Sequence, residues 1–220
     1  MRRLALTAGL VLAAAIWAGL LVSPWSESFT VRMLAHMGMV AVAAPLISIG
    51  IGGTRWARRV VGDTRRTSFL LSMPIIASLV ELIVVWGWHA PALRALAKGS
   101  GIMTSVEQAS FLTAGIFLWV STLGVGRAFA SPSHNAAGAF GLLLTSIHMT
   151  LLGALLALSP RPLYGAGEVS CFGIVLDARQ DLELGGVIML MVGPATYLAG
   201  GVALLARVLN TDEDTGRALW

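Results

Sequence analysis

Residues 138–158, GAFGLLLTSIHMTLLGALLAL, run without a single Asp, Glu, Lys or Arg. A helix needs about 20 apolar residues to cross the hydrocarbon core of a bilayer, so this stretch reads as a membrane span. His148 stands near its middle. A titratable group is costly to hold there and by default marks a functional site. Five further stretches of the same kind, 4–22, 29–51, 68–88, 102–124 and 184–208, flank it. The fold class that follows is all-α, a polytopic transmembrane bundle of six spans, and residues 1–220 are read as one integral membrane domain.

Composition agrees. Of 220 residues, 56% are hydrophobic and 12% charged, with a mean hydropathy of +0.81, whereas soluble domains carry about 25% charge. The pI near 10.2 invites a nucleic-acid reading, but the basic residues form no stripe or groove. They cluster between apolar segments and report topology instead. Arg2, Arg3, Arg55, Arg58, Arg59, Arg65, Arg66, Arg127, Arg207 and Arg217 fall on one side, and Arg94, Lys98, Arg161 and Arg179 on the other. This bias predicts both termini in the cytoplasm of a bacterial inner membrane, with Trp17, Trp25, Trp86 and Trp88 as an outer aromatic belt. The Arg-rich 52–67 connection sets topology and, secondarily, contacts anionic lipid. The first segment also resembles a secretory signal, but its apolar run is too long and no A-x-A site follows, so it reads as a retained span. Cys171, the lone cysteine, reads as a small buried apolar residue.

With about 1.5 Å of rise per residue, position converts to depth. His36 lies roughly 10 Å below the outer end of the second span, with Met33 sharing its face and Met37 one turn below Met33. His89 ends the third span before Pro91. Met103 and Glu107 occupy the first turns of the fourth span, Asp181 and Glu183 precede the sixth, and Met189 and Met191 lie in its early turns. Most candidate ligands therefore fall in the outer half. Imidazole with thioether suits a soft ion such as Cu(I). Each residue also has a plainer reading, with histidines hydrogen-bonded between helices and methionines filling the core. Arg32 either snorkels or pairs inside the bundle with Glu107 or Glu81. Of these, Glu81 is the better motivated, because it lies deeper and cannot easily reach water. Pro45, Pro74 and Pro194 are candidate kinks, and Gly50, Gly52 and Gly53 form a helix-ending turn. No G-x-S-x-G elbow, H-E-x-x-H helix or paired catalytic carboxylates is present, so no hydrolase is supported and a non-enzymatic role is expected.

Four motifs, in order between about residues 30 and 208, resemble those of the CtaG family of multi-spanning cytochrome c oxidase assembly factors associated with caa3-type oxidases. They are His36-Met37 ahead of Ala44-Pro45-Leu46, Trp88-His89-Ala90-Pro91, His148 to Leu156 continuing through Pro160-Arg161-Pro162-Leu163-Tyr164, and Asp181 followed by Leu184 to Met189. The resemblance implies a protein that handles copper destined for the catalytic subunit, with that subunit or another assembly protein as partner. Carried over to this chain, it puts His36, His89, His148, Glu107, Asp181 and Met189 at matching positions. The chain departs from the pattern at Arg32, Thr104 and Gln108, where histidines are expected, at Leu182 and Glu183 in place of two glutamines, and at Leu190 in place of a tryptophan. A fixed cation near His36 repels a metal cation, or else replaces it by pairing with Glu107.

Three readings follow. In the first, His36, His89 and His148 ligate copper with Met33, Met37 or Met189 as soft partners, at a site facing outside, and Glu107 and Asp181 orient the imidazoles. In the second, the chain is a metal-free divergent scaffold or interaction subunit. In the third, it is a b-type haem protein clamping haem between His36 and His148. Proton-coupled transport through Glu81, Glu107 and Asp181 is weaker, because broken-helix repeats are missing.

Overall fold

The computed structural model describes residues 1–52, 67–123 and 131–217. The expected Arg-rich connection, Gly53 and Arg127 lie outside them. Among the described residues, six helical segments are long and apolar enough to cross a membrane. The chain is an integral membrane protein and an all-α bundle.

The first span is α1 (Arg2–Val22). The second is built of α2 (Phe29–Met37), a π-helical turn (Gly38–Ala43) and α3 (Ala44–Ile51). Pro45 explains the change of geometry. It brings no N–H, and its ring crowds the carbonyl four residues back, so the turn before it widens instead of breaking. The third span is α4 (Thr67–His89). It is followed by α5 (Pro91–Gly99), a short helix the hydropathy pattern did not anticipate. Pro91 starts it, at a position where the missing N–H costs nothing. The fourth span is α6 (Gly101–Leu123). The fifth, α7 (Pro132–Ala157), starts six residues earlier than residue 138, because Ser131 caps it by accepting the N–H of His134 and Pro132 pre-sets its first turn. The sixth, α8 (Ala178–Arg217), starts earlier than expected because Asp177 Oδ1 accepts the N–H groups of Arg179 and Gln180.

Between α7 and α8 lies a hairpin, β1 (Glu168–Cys171) paired antiparallel with β2 (Ile174–Asp177). Phe172 and Gly173, at φ 50° and 85°, make the left-handed two-residue turn that matches strand twist. Phe172 packs on Trp25 at 5.1 Å between ring centres. Cys171 is buried, as expected. The hairpin, α5 and the Ser23–Ser28 turn mark one end of the bundle, called here the hairpin end.

The core runs through the second, fourth and fifth spans, whose most apolar windows are 50–56% buried against 17% for α1. Phe29, Met33, Met37, Phe111, Leu118, Leu142, Met149 and Met189 form its centre. The helices approach most closely where side chains are missing. A Cβ built on Gly186 would stand 2.5 Å from Ala157 N and 2.8 Å from its Cα, so α7 and α8 pack backbone to backbone there. Gly186→Val is expected to push these helices apart and lower the thermal midpoint of the detergent-solubilised protein by several degrees, whereas Gly19→Val, at a position open to its surroundings, leaves it unchanged.

Candidate functional site

Three of the expected ligands meet beneath the hairpin end. Met33 and His36 stand one turn apart on α2, and α4 brings His89 against them. The His36 and His89 rings lie 5.7 Å apart, and His36 is also 4.0 Å from the Phe111 ring. His89 Nδ1 lies 2.7 Å from the carbonyl oxygen of Val85, one turn back on its own helix. A carbonyl can only accept, so Nδ1 carries the proton and the neutral ring turns the lone pair of Nε2 outward. That nitrogen is 3.3 Å from Met33 Sδ. In the neutral ring two electron-pair donors thus face one another. His36 is fully buried, and among the described residues neither of its ring nitrogens has a hydrogen-bond partner.

Other expected ligands stand apart. His148 is buried, yet among the described residues no hydrogen bond or ring contact links it to His36 or His89. No three His, Cys, Asp or Glu side chains gather where one ion could touch them all, again among the described residues. Met37 and Met189 sit with Met33 in the hydrophobic core, and among the described residues neither has the contact with a ring nitrogen that Met33 makes with His89.

Among the described residues neither Asp181 nor Glu107 bonds an imidazole, and Glu107 takes the ion-pair alternative with Arg32. Asp181 accepts three hydrogen bonds, from Ser28 Oγ at 2.6 Å, Phe29 N at 2.6 Å and Thr30 N at 3.0 Å. It is the anionic cap of α2, reaching across from α8 to free N–H groups and the positive end of the helix dipole. Glu107 binds Arg32 Nη1 at 3.0 Å through Oε2, and Arg94 Nη1 at 3.4 Å through Oε1. Glu81, the better-motivated partner for Arg32, instead accepts the Tyr197 hydroxyl at 2.7 Å. Depth decides the pairing. Arg32 and Glu107 both lie in the first turns from the hairpin end, whereas Glu81 stands eight residues, about 12 Å, below His89.

Arg94 is the site residue the sequence did not disclose. It reads there as a loop charge, but α5 lays it on the bundle at 2% exposure. Its guanidinium stacks 5.3 Å from the Phe29 ring centre and 5.7 Å from that of Tyr164. Burial, and then the Arg32 charge, pull Arg94 down to about 10. Lys98 is lowered by partial burial and then by Arg94, and burial lifts Tyr164 to about 12. Tyr164, from the Pro-Arg-Pro-Leu-Tyr run, donates its hydroxyl to the His89 carbonyl at 2.7 Å and so anchors the loop over the histidine. Two positions that depart from the family pattern, Arg32 and Thr104, both donate to the Ala97 carbonyl, at 3.5 and 2.8 Å.

A family model described as cytochrome c oxidase caa3 assembly factor (Caa3_CtaG) matches residues 1–211. No curated protein and no solved structure matches the chain.

Proposed function

The chain belongs to the cytochrome c oxidase caa3 assembly factor family, and from that premise we propose that it handles copper as cargo for the oxidase catalytic subunit, at the outer face of the bacterial inner membrane. The observation that carries this reading is the pair of facing donors, His89 Nε2 and Met33 Sδ at 3.3 Å, beside His36, whose ring nitrogens have no hydrogen-bond partner among the described residues. Two imidazoles and a thioether make a soft, low-coordinate set suited to Cu(I). The His89 Nδ1–H bond to a backbone carbonyl is the arrangement by which metal-binding histidines fix their tautomer. A set of so few ligands favours release, which a cargo requires and a closed four-ligand cage opposes.

Purified protein titrated with Cu(I) against a chromophoric chelator is expected to hold copper, to lose it in His36→Ala and His89→Ala, and to bind more weakly in Met33→Leu. His148→Ala, away from these contacts, leaves binding intact. Copper retention that survives both His36→Ala and His89→Ala would overturn the reading.

A metal-free scaffold is the second reading, and Arg32 favours it. Arg32, Arg94 and Glu107 form a buried ion cluster, and the chain departs from the family pattern at Arg32 and at Thr104 nearby. Normal oxidase assembly in cells carrying His36, His89 and His148 all as alanine would select this reading, and a defect corrected by added copper would reject it.

A further inference from the structure

The third and fifth spans, α4 and α7, meet along a seam whose register can be counted off. A Cβ built on Gly141 of α7 would stand 2.9 Å from the Cβ of Pro74 on α4. Four residues further on each helix, the hydroxyls of Thr145 and Ser78 are hydrogen-bonded at 2.8 Å. Three further on the same faces come His148 and Glu81, and four beyond those come Leu152 and Val85. All eight residues are buried. Equal 4-3-4 steps on both helices are the spacing of two parallel helices packed at a small crossing angle. The seam therefore sets Glu81 and His148 at one level, well inside the membrane-spanning part of the bundle.

Both residues bring unmatched polar atoms to that level. Glu81 Oε1 accepts the Tyr197 hydroxyl at 2.7 Å, while Oε2 has no hydrogen-bond partner among the described residues. Neither ring nitrogen of His148 has one among them either. No described Lys or Arg pairs with Glu81. Its titratable neighbours in this part of the bundle are Tyr197 from α8 and His148 from α7, and α6 contributes only the Trp119 ring, stacked on Tyr197 at 5.8 Å. A lone ionised carboxylate is far costlier in such surroundings than the acid, so the group is carried neutral. The neutral acid gains an O–H donor, and a neutral imidazole has one ring nitrogen that only accepts. We propose that this seam is a proton-binding site in the membrane interior, where Glu81 and His148 share one proton, Oε2 donating to a ring nitrogen directly or through one bridging water. Tyr197, bonded to the other oxygen, fixes the carboxyl. Nothing in this site depends on copper, because the donors of the copper reading, Met33, His36 and His89, form a separate set of contacts.

The test uses the full chain in a neutral detergent, stripped of copper by a chelator, with two readings. In the infrared, the spectrum of the parent minus that of Glu81→Gln isolates the Glu81 carboxyl and is expected to show the carbonyl band of a protonated acid. His148→Leu removes the acceptor at similar volume and should move that band to higher frequency, because the carbonyl stretch rises when the acid loses its acceptor. Thr145→Val breaks the Ser78 contact one turn away and should leave the band in place. In chemical unfolding, Glu81→Met, His148→Leu and the double variant form a cycle. Their losses should fall short of additive by about tenfold in the folded-to-unfolded ratio, within the range for residues that share one hydrogen-bond network. The infrared reading needs only the conservative variants, so it decides the matter even where Glu81→Met does not fold. An ionised carboxylate in the parent, a band that stays put in His148→Leu or moves equally in Thr145→Val, or losses that add to within about twofold would overturn the inference.

Discussion

Replacing Glu107 by alanine is expected to destabilise the protein by about 3–5 kcal/mol, the cost of leaving a buried ion pair with one side removed. Glu107 is 3% exposed, Arg32 3% and Arg94 2%, so neither guanidinium can simply turn into water. The carboxylate holds α2, α5 and α6 together, since Arg32 comes from the first, Arg94 from the second and Glu107 from the third. Arg32 is further fixed by donating through Nε to the Ser26 carbonyl at 2.8 Å. Its loss of Glu107 therefore leaves a charge pinned in place without compensation. Glu107→Gln keeps an acceptor but removes the charge, and should fall between alanine and the parent. Replacing Arg32 and Glu107 together by methionine and leucine should cost less than Glu107→Ala alone, because only Arg94, and not both guanidiniums, is then left without its counter-charge. Chemical unfolding in detergent reads all three. A Glu107→Ala protein within 1 kcal/mol of the parent (a difference of about fivefold in the folded-to-unfolded ratio) would mean that the arginines find water or another anion.

Asp181→Ala is expected to cost about 3 kcal/mol, because hydrogen bonds to a charged group contribute roughly 1.5–3 kcal/mol each and are not additive. It removes the cap that joins the last span to the second. Phe29 N and Thr30 N lose their acceptor, Ser28 Oγ loses its own at 2.6 Å, and the negative charge at the positive end of α2 disappears. Asp181→Asn keeps the oxygen and should recover part of the loss. The consequence for the site is indirect. Met33 and His36 ride on α2, so fraying of its first turn moves both donors away from His89. Copper retention should therefore fall in Asp181→Ala in proportion to lost helix order. Full stability with selective loss of copper would instead restore the role of Asp181 as a partner of an imidazole, which none of its contacts supports.

The six spans could be read directly because hydropathy is local. A bilayer demands a minimum apolar length, and the stretches around His36 and His148 satisfy it whatever their neighbours do. The proximity of Met33 to His36 was equally legible, since three residues on a helix make one turn. The ends of spans were less so. Residues 132–137 carry Ser133, His134 and Asn135 and look polar, but a Ser131 cap and Pro132 extend the fifth helix through them. Helix α5 was missed because its apolar face is too short for a membrane window, although Arg94 and Ala97, three apart and both buried, mark that face.

The sequence by itself determined that this chain is a membrane-embedded helical bundle, that it belongs with the caa3 oxidase assembly factors, and which residues were available for chemistry. Tertiary structure alone decided how those residues pair. Arg32 goes to Glu107 and Glu81 to Tyr197, Asp181 serves a helix terminus, and His36 meets His89 and Met33 while His148 stands apart. The physical reason is that hydropathy is summed along the chain, whereas a hydrogen bond or an ion pair depends on depth and on the rotation of each helix about its axis. Those two coordinates are fixed only when the faces of all the helices are packed together.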